Sequence, residues 1–139
     1  LFDTIRSVHN AGISNILVLN GHGGNVAPCE GIWGQFLQRL EINLWFKPYW
    51  DFLDAGVAQA NLNTGVWPGH AQEFETAFAM AAFPDNVRHD AMQDQEDRSP
   101  QEASAEAGQA MIDSIVTNTA EFLAGMIGGT QNAEIPAFH

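Results

Sequence analysis

A short apolar strand, Asn15 to Leu19, runs straight into Asn20-Gly21-His22-Gly23-Gly24-Asn25, and a helical pattern follows. This unit constrains the fold more than any other stretch, because a strand feeding a helix through a short loop must lay that helix back on a sheet. The glycines at 21, 23 and 24 remove the side chains that would fill the loop. They also admit backbone angles closed to other residues. His22 is therefore expected to be presented at a strand end with room beside it for a ligand. The plainer reading is a tight glycine turn with His22 hydrogen-bonded at its edge.

The flanking sequence extends the pattern. Leu1, Ile5 and Val8 recur at helical spacing up to Gly12, whose missing Cβ suits a helix end. Beyond the loop, Ile32, Phe36, Leu37 and Leu40 mark the buried face of a second helix beginning near Val26, with Pro28 tolerable in its first turn. Aromatic and β-preferring residues then predict a second strand from Asn43 toward Pro48. Alternation of helix and strand implies an α/β fold with a mainly parallel sheet. In such sheets ligands gather beyond the carboxyl ends of the strands, where His22 lies.

From Trp50 to Pro68 the chain is less regular and reads as a short helix followed by a loop. Glu73 to Phe83 reads as a helix with Phe74 and Phe78 inward, ended by Pro84-Asp85-Asn86. Ser99-Pro100-Gln101-Glu102 combines a capping box with proline at the first helical position, and so marks a helix start. That helix should carry Ala103, Ala107, Met111, Ile115, Phe122 and Met126 inward until Gly128-Gly129 stops it. Thr130 to His139 reads as a loose tail.

Composition excludes several functions. Seventeen acidic residues against five basic ones give a net charge of -12, which opposes a nucleic-acid backbone or an anionic membrane. The acidity concentrates between Asp85 and Glu106, a run that reads as a solvated surface. Cys29 is the single cysteine, so neither an internal disulfide nor a thiolate cluster can form within one chain, and a cytoplasmic setting fits. The longest apolar run, Ala77 to Phe83, is seven residues and does not span a membrane.

A second histidine segment, Gly69-His70-Ala71-Gln72-Glu73-Phe74-Glu75-Thr76, sets an imidazole beside two carboxylates. Imidazole and carboxylate are ligands for a borderline divalent ion, and they also serve as acid and base. On a helix Glu73 and Glu75 would point about 200° apart, so both reach one ion only if Glu73 still belongs to the loop.

Together the two segments resemble the creatininase family of amidohydrolases. The glycine loop around His22 looks like that family's histidine loop after a hydrophobic strand, and Gly69 to Thr76 looks like its His-Ala-Gly stretch ending in Glu-Thr. The resemblance implies a three-layer α/β/α fold and hydrolysis of a non-peptide carbon–nitrogen bond, often a cyclic amide. It also implies two divalent metal ions, zinc first, with manganese or iron as alternatives. Carried over by position, His22 and Glu75 are the implied metal ligands, His70 and Glu73 the implied catalytic residues, and Trp67 an implied substrate contact. Which of Glu73 and Glu75 is the ligand stays open. Gly23 and Gly24 would let backbone N–H groups approach a developing oxyanion. A small-molecule amide substrate and a homo-oligomeric assembly complete the expectation.

The sequence departs from that pattern in three places. The family's Glu-x-His stretch and its bridging aspartate lie upstream of the motifs present here, so residues 1–129 are expected to be the C-terminal part of an N-terminally truncated domain, with 130–139 as the tail. Gln72 stands where the family has glycine and is expected to crowd the loop, and Ala77 stands where serine is common. Two other functions compete with hydrolysis. One is a non-catalytic α/β binding or assembly module, and the other is a phosphate cradle at the helix start, which the lack of a following lysine disfavours. His9, His89 and His139 read as ordinary surface or core residues, Trp33 and Trp45 as core, Trp50 as a cap over a neighbouring subunit's pocket or as core, and Cys29 as structural.

Overall fold

The computed structural model describes residues 1–137, so Phe138 and His139, including the ordinary role expected of His139, lie outside the described residues. The chain divides into two compact units, Leu1–Asp51 with Ala120–His139, and Phe52–Thr119. Helix and parallel sheet together make it an α/β protein, as the strand–loop–helix pattern implied.

The first unit is built on helix α1 (Phe2–Asn10), strand β1 (Asn15–Asn20), helix α2 (Val26–Leu40) and strand β2 (Asn43–Pro48). The two strands pair in parallel from Asn15 opposite Asn43 to Asn20 opposite Pro48. Pro48 has no N–H to give a ladder and stands at the last paired position. Gly12 follows α1 at φ 95°, a left-handed angle that suits glycine, and turns the chain toward β1.

Ile5, Leu37, Ile42 and Leu44 form the buried centre, with Trp33, Phe36 and Leu40 packed against it. Full burial of each such aliphatic side chain contributes about 1.5–3 kcal/mol. Ile32, expected inward on α2, is exposed. Trp33 takes the inward place, one residue around the helix, and donates from its indole nitrogen to the Leu44 carbonyl at 3.3 Å.

Residues 130–137 form no helix or strand, yet the segment is tied down within its unit. The Asn43 carboxamide donates to the Gln131 carbonyl at 2.8 Å and accepts from the Ala133 N–H at 2.9 Å. Gln38 on α2 donates to the Pro136 carbonyl at 2.9 Å.

The second unit holds helices α3 (Ala55–Asn61), α4 (Glu73–Ala82) and α5 (His89–Gln93), and α6 (Ala105–Gly128) up to Thr119; from Ala120 on, α6 belongs to the first unit. Asp54 caps α3 by accepting from the Val57 N–H at 3.0 Å. Phe74, Ala77 and Met111 are fully buried, and Ile115 nearly so. A Cβ on Gly108 of α6 would fall 1.9 Å from the Ala77 carbonyl oxygen, so α4 and α6 meet backbone to backbone there.

The expected helix start at Ser99 is corrected. Residues Ser99–Glu102 form a separate 3₁₀ turn, and Ala103 is extended at φ -70°, ψ 144°. The cap belongs to Ser104, whose hydroxyl accepts from the Ala107 N–H at 3.1 Å. The downstream stop is as expected, with Gly129 at φ 77° directly after α6.

Candidate functional site

The His22 loop is organised by Asn20, which opens the glycine motif but was given no role in it. This last residue of β1 is nearly buried at 6% exposure. Its side-chain N–H donates to the His22 carbonyl at 2.7 Å, and its Oδ1 accepts from the His22 N–H at 3.3 Å and from the Asn25 amide at 3.1 Å. One carboxamide thus fixes both backbone groups of His22 and ties the loop to the start of α2. The signal available in sequence was an asparagine at a strand end just before the glycines, the residue type whose side chain bonds its own backbone two residues on.

His22 itself is exposed, as the glycine loop implied. The glycines achieve this by space rather than by unusual angles, which corrects the expected backbone conformation. The glycines with positive φ are 12, 65, 69 and 129, and the loop glycines are not among them. Gly24 has a definite steric reason: a Cβ there would lie 2.9 Å from His22 Nε2. The imidazole rests over Gly24.

Gly24→Ala is accordingly expected to swing the ring away while costing less than about 1 kcal/mol, since the displaced atoms end a flexible exposed side chain. Histidine-ring resonances in NMR, read beside a thermal melt, test this. Unmoved His22 resonances would show that the ring does not depend on Gly24.

The second segment is tightly bent. Gly65 and Gly69 have φ of 65° and 69°, and Ala71 has φ 52°, the left-handed region where a Cβ is strained. Trp67 is 37% exposed and precedes Pro68 through a cis peptide bond. His70 is exposed on the same stretch. Gln72 lies over Gly69, whose Cβ would fall 2.8 Å from Gln72 Oε1, and its amide donates to Asp97 at 3.1 Å. The expected crowding by Gln72 is thus taken up by the glycine beside it.

Glu73 is the first residue of α4, so both glutamates are helical, and their side chains diverge as the helical geometry requires. Glu73 is 1% exposed. Its Oε1 accepts from the Asn63 N–H at 2.8 Å and its Oε2 from the Thr64 N–H at 2.7 Å. Burial pushes its pKa up, but the Thr64 and Asn63 donors outweigh that and hold the carboxyl below its ordinary range. Glu75 turns back to accept from the Ala71 N–H, and it lines an open cleft of about 400 Å³. Thr76 closes the same bend by donating to the Ala71 carbonyl at 3.4 Å.

Trp67, His70, Glu73 and Glu75 therefore share one bent segment of the second unit, and His22, Gly23 and Gly24 share a loop of the first. Among the described residues, no three histidine, cysteine, aspartate or glutamate side chains gather as a ligand set. His9 reaches the Ile13 carbonyl at 3.2 Å through Nδ1, a local contact of the kind expected of it. Trp45 packs edge-on to Phe122 at 5.3 Å, and Trp50 to Tyr49 at 5.1 Å. Among the described residues no helix is long and apolar enough to cross a membrane.

The model of the Creatininase family, described as creatinine amidohydrolase, matches residues 1–101. No curated protein and no solved structure matches the chain.

Proposed function

The chain belongs to the creatininase family, and on that premise we propose that it is an amidohydrolase cleaving a non-peptide carbon–nitrogen bond in a small, preferably cyclic, amide. The observation that carries this reading is the extent of the match, residues 1–101, which takes in both the His22 loop and the Gly69–Thr76 segment.

Amide hydrolysis needs a nucleophile stronger than neutral water and a protonated leaving nitrogen. Proton delivery to that nitrogen is assigned to His70, which is exposed on a bent segment and whose imidazole can carry a proton on either ring nitrogen. Glu73 is assigned a positioning role rather than proton exchange. Both its oxygens already hold backbone N–H groups, and its lowered pKa keeps it ionised. Trp67 borders the segment as a substrate contact, and Gly23 and Gly24 leave the His22 loop open to an approaching oxyanion.

Family membership implies divalent metal, two ions with zinc the first choice and manganese or iron as alternatives. His22 and Glu75 have the donor chemistry for such an ion, each as one ligand of a larger set. When bound, the metal supplies hydroxide at neutral pH. A cytoplasmic homo-oligomer is the proposed setting, supported by the lone Cys29 and by the family resemblance.

The test combines elemental analysis with hydrolysis of a cyclic-amide panel. His22→Ala is expected to lower metal content, and His70→Ala to retain metal while losing about 100-fold or more in kcat. An active, metal-loaded His22→Ala protein would overturn the ligand assignment. A wild-type protein without metal or turnover would favour a non-catalytic binding or assembly module.

A further inference from the structure

The cleft beside Glu75 carries charge of both signs. Arg88 lines it together with Glu75, while Asn86, Val87, Met92 and Gln95 supply carboxamides and an apolar wall. Its volume of about 400 Å³ lies within the range of small-molecule sites, which run from about 300 to 1,000 Å³.

Arg88 stands inside the most acidic stretch of a chain with 17 acidic and five basic residues, yet among the described residues its guanidinium pairs with no carboxylate. The ion pairs among the described residues are Arg6 with Asp3 and Lys47 with Asp51. The nearby Arg98 donates to the Gln93 carbonyl at 2.6 Å, whereas no hydrogen bond from the Arg88 side chain occurs among the described residues. A guanidinium carries a fork of donors matched to a planar carboxylate, and this one faces a cleft with that fork unspent.

We propose that Arg88 is a specificity residue that binds a carboxylate on the substrate, so that this chain's preferred ligands are small cyclic amides bearing an acid group. The ring would lie against Val87 and Met92, with its carboxylate at Arg88. This rests on the amidohydrolase reading only for the word amide; the preference for an anion comes from the cleft itself. It also gives a ligand anion a local partner in a protein whose net charge of -12 otherwise repels it.

The test uses 5-oxoproline, a five-membered lactam carrying a carboxylate, and its neutral counterpart 5-oxoprolinamide, each titrated into the isotope-labelled chain and followed by NMR. The acid is expected to bind about tenfold tighter or better, with shifts centred on Val87, Arg88 and Met92. Arg88→Gln is expected to abolish that difference while leaving affinity for the amide within about twofold, and Arg88→Lys to restore part of it. Equal binding of acid and amide to the wild type, no binding of the acid, or an undiminished preference in Arg88→Gln would each overturn the proposal. The wild-type comparison needs no variant to fold. Ring opening is assayed separately. Acid preference without turnover would sustain this inference and remove the hydrolase reading; turnover without acid preference would do the reverse.

Discussion

Gly108→Ala is expected to destabilise the second unit by about 3 kcal/mol or more, at or above the upper end of ordinary overpacking. The added methyl would fall 1.9 Å from the Ala77 carbonyl oxygen and 2.5 Å from its carbon. Those are backbone atoms of α4, so no side-chain rotation relieves the overlap. Alanine gains about 1 kcal/mol over glycine in helix propensity, which does not offset a forced separation of two helices. Gly128→Ala is the control, because nothing lies within 4 Å of its Cβ position, and it should be neutral or slightly stabilising. Urea unfolding of both variants decides the matter. If Gly108→Ala were as stable as the wild type, the close approach of α4 and α6 would be wrong.

Glu73→Gln is the second large effect, expected to cost about 2–3 kcal/mol near neutral pH. A carboxamide keeps one acceptor oxygen but turns an NH2 group toward a backbone N–H, so either Asn63 or Thr64 loses its partner in a site that is 1% exposed. The pH dependence has a fixed sign. The folded-state pKa lies below the reference value of 4.5, so Glu73 contributes its full stabilisation above 4.5 and loses it as pH falls through the lower, folded value. The stability gap between wild type and Glu73→Gln should therefore be constant from pH 7 toward 5 and narrow below 4.5. A gap that stayed level at low pH would mean that the carboxylate's charge is not what holds the two amides.

The elements that sequence made legible are those whose signal is local. The helical spacing of Ile5 and Val8, the apolar run of β1 and the aromatic-rich run of β2 each carry their own pattern, and the structure follows them, while Leu1 precedes α1 and is exposed. The failures are where the deciding partner is distant or featureless. Ser99 to Glu102 has every local mark of a helix start, but extended Ala103 hands that role to Ser104. The anchoring of the Glu73 carboxylate depends on backbone N–H groups at 63 and 64, which any non-proline residue would supply, so no side-chain pattern announces it. Gly108 carries no sequence pattern of its own, and only the position of Ala77 shows it to be a spacing device. In the candidate site, His22 was legible as a presented group on a glycine loop and His70 as an imidazole beside two carboxylates, whereas the bonding of Asn20 and the unpaired state of Arg88 were not, since they depend on what each side chain meets in the fold.

The Asn20 carboxamide has one more consequence, for how the protein ages. Asparagine followed by glycine is the dipeptide whose side chain is most open to attack by the next backbone nitrogen, which forms a cyclic imide and then aspartate or isoaspartate. In an unfolded chain Asn20-Gly21 would be such a weak point. Folded, the same group is 6% exposed and held by His22 and Asn25, so its chemical lifetime becomes a property of the tertiary structure. Stored samples that spend time unfolded should gain one dalton at this residue and lose the loop that presents His22, making the fold the guardian of its own covalent sequence.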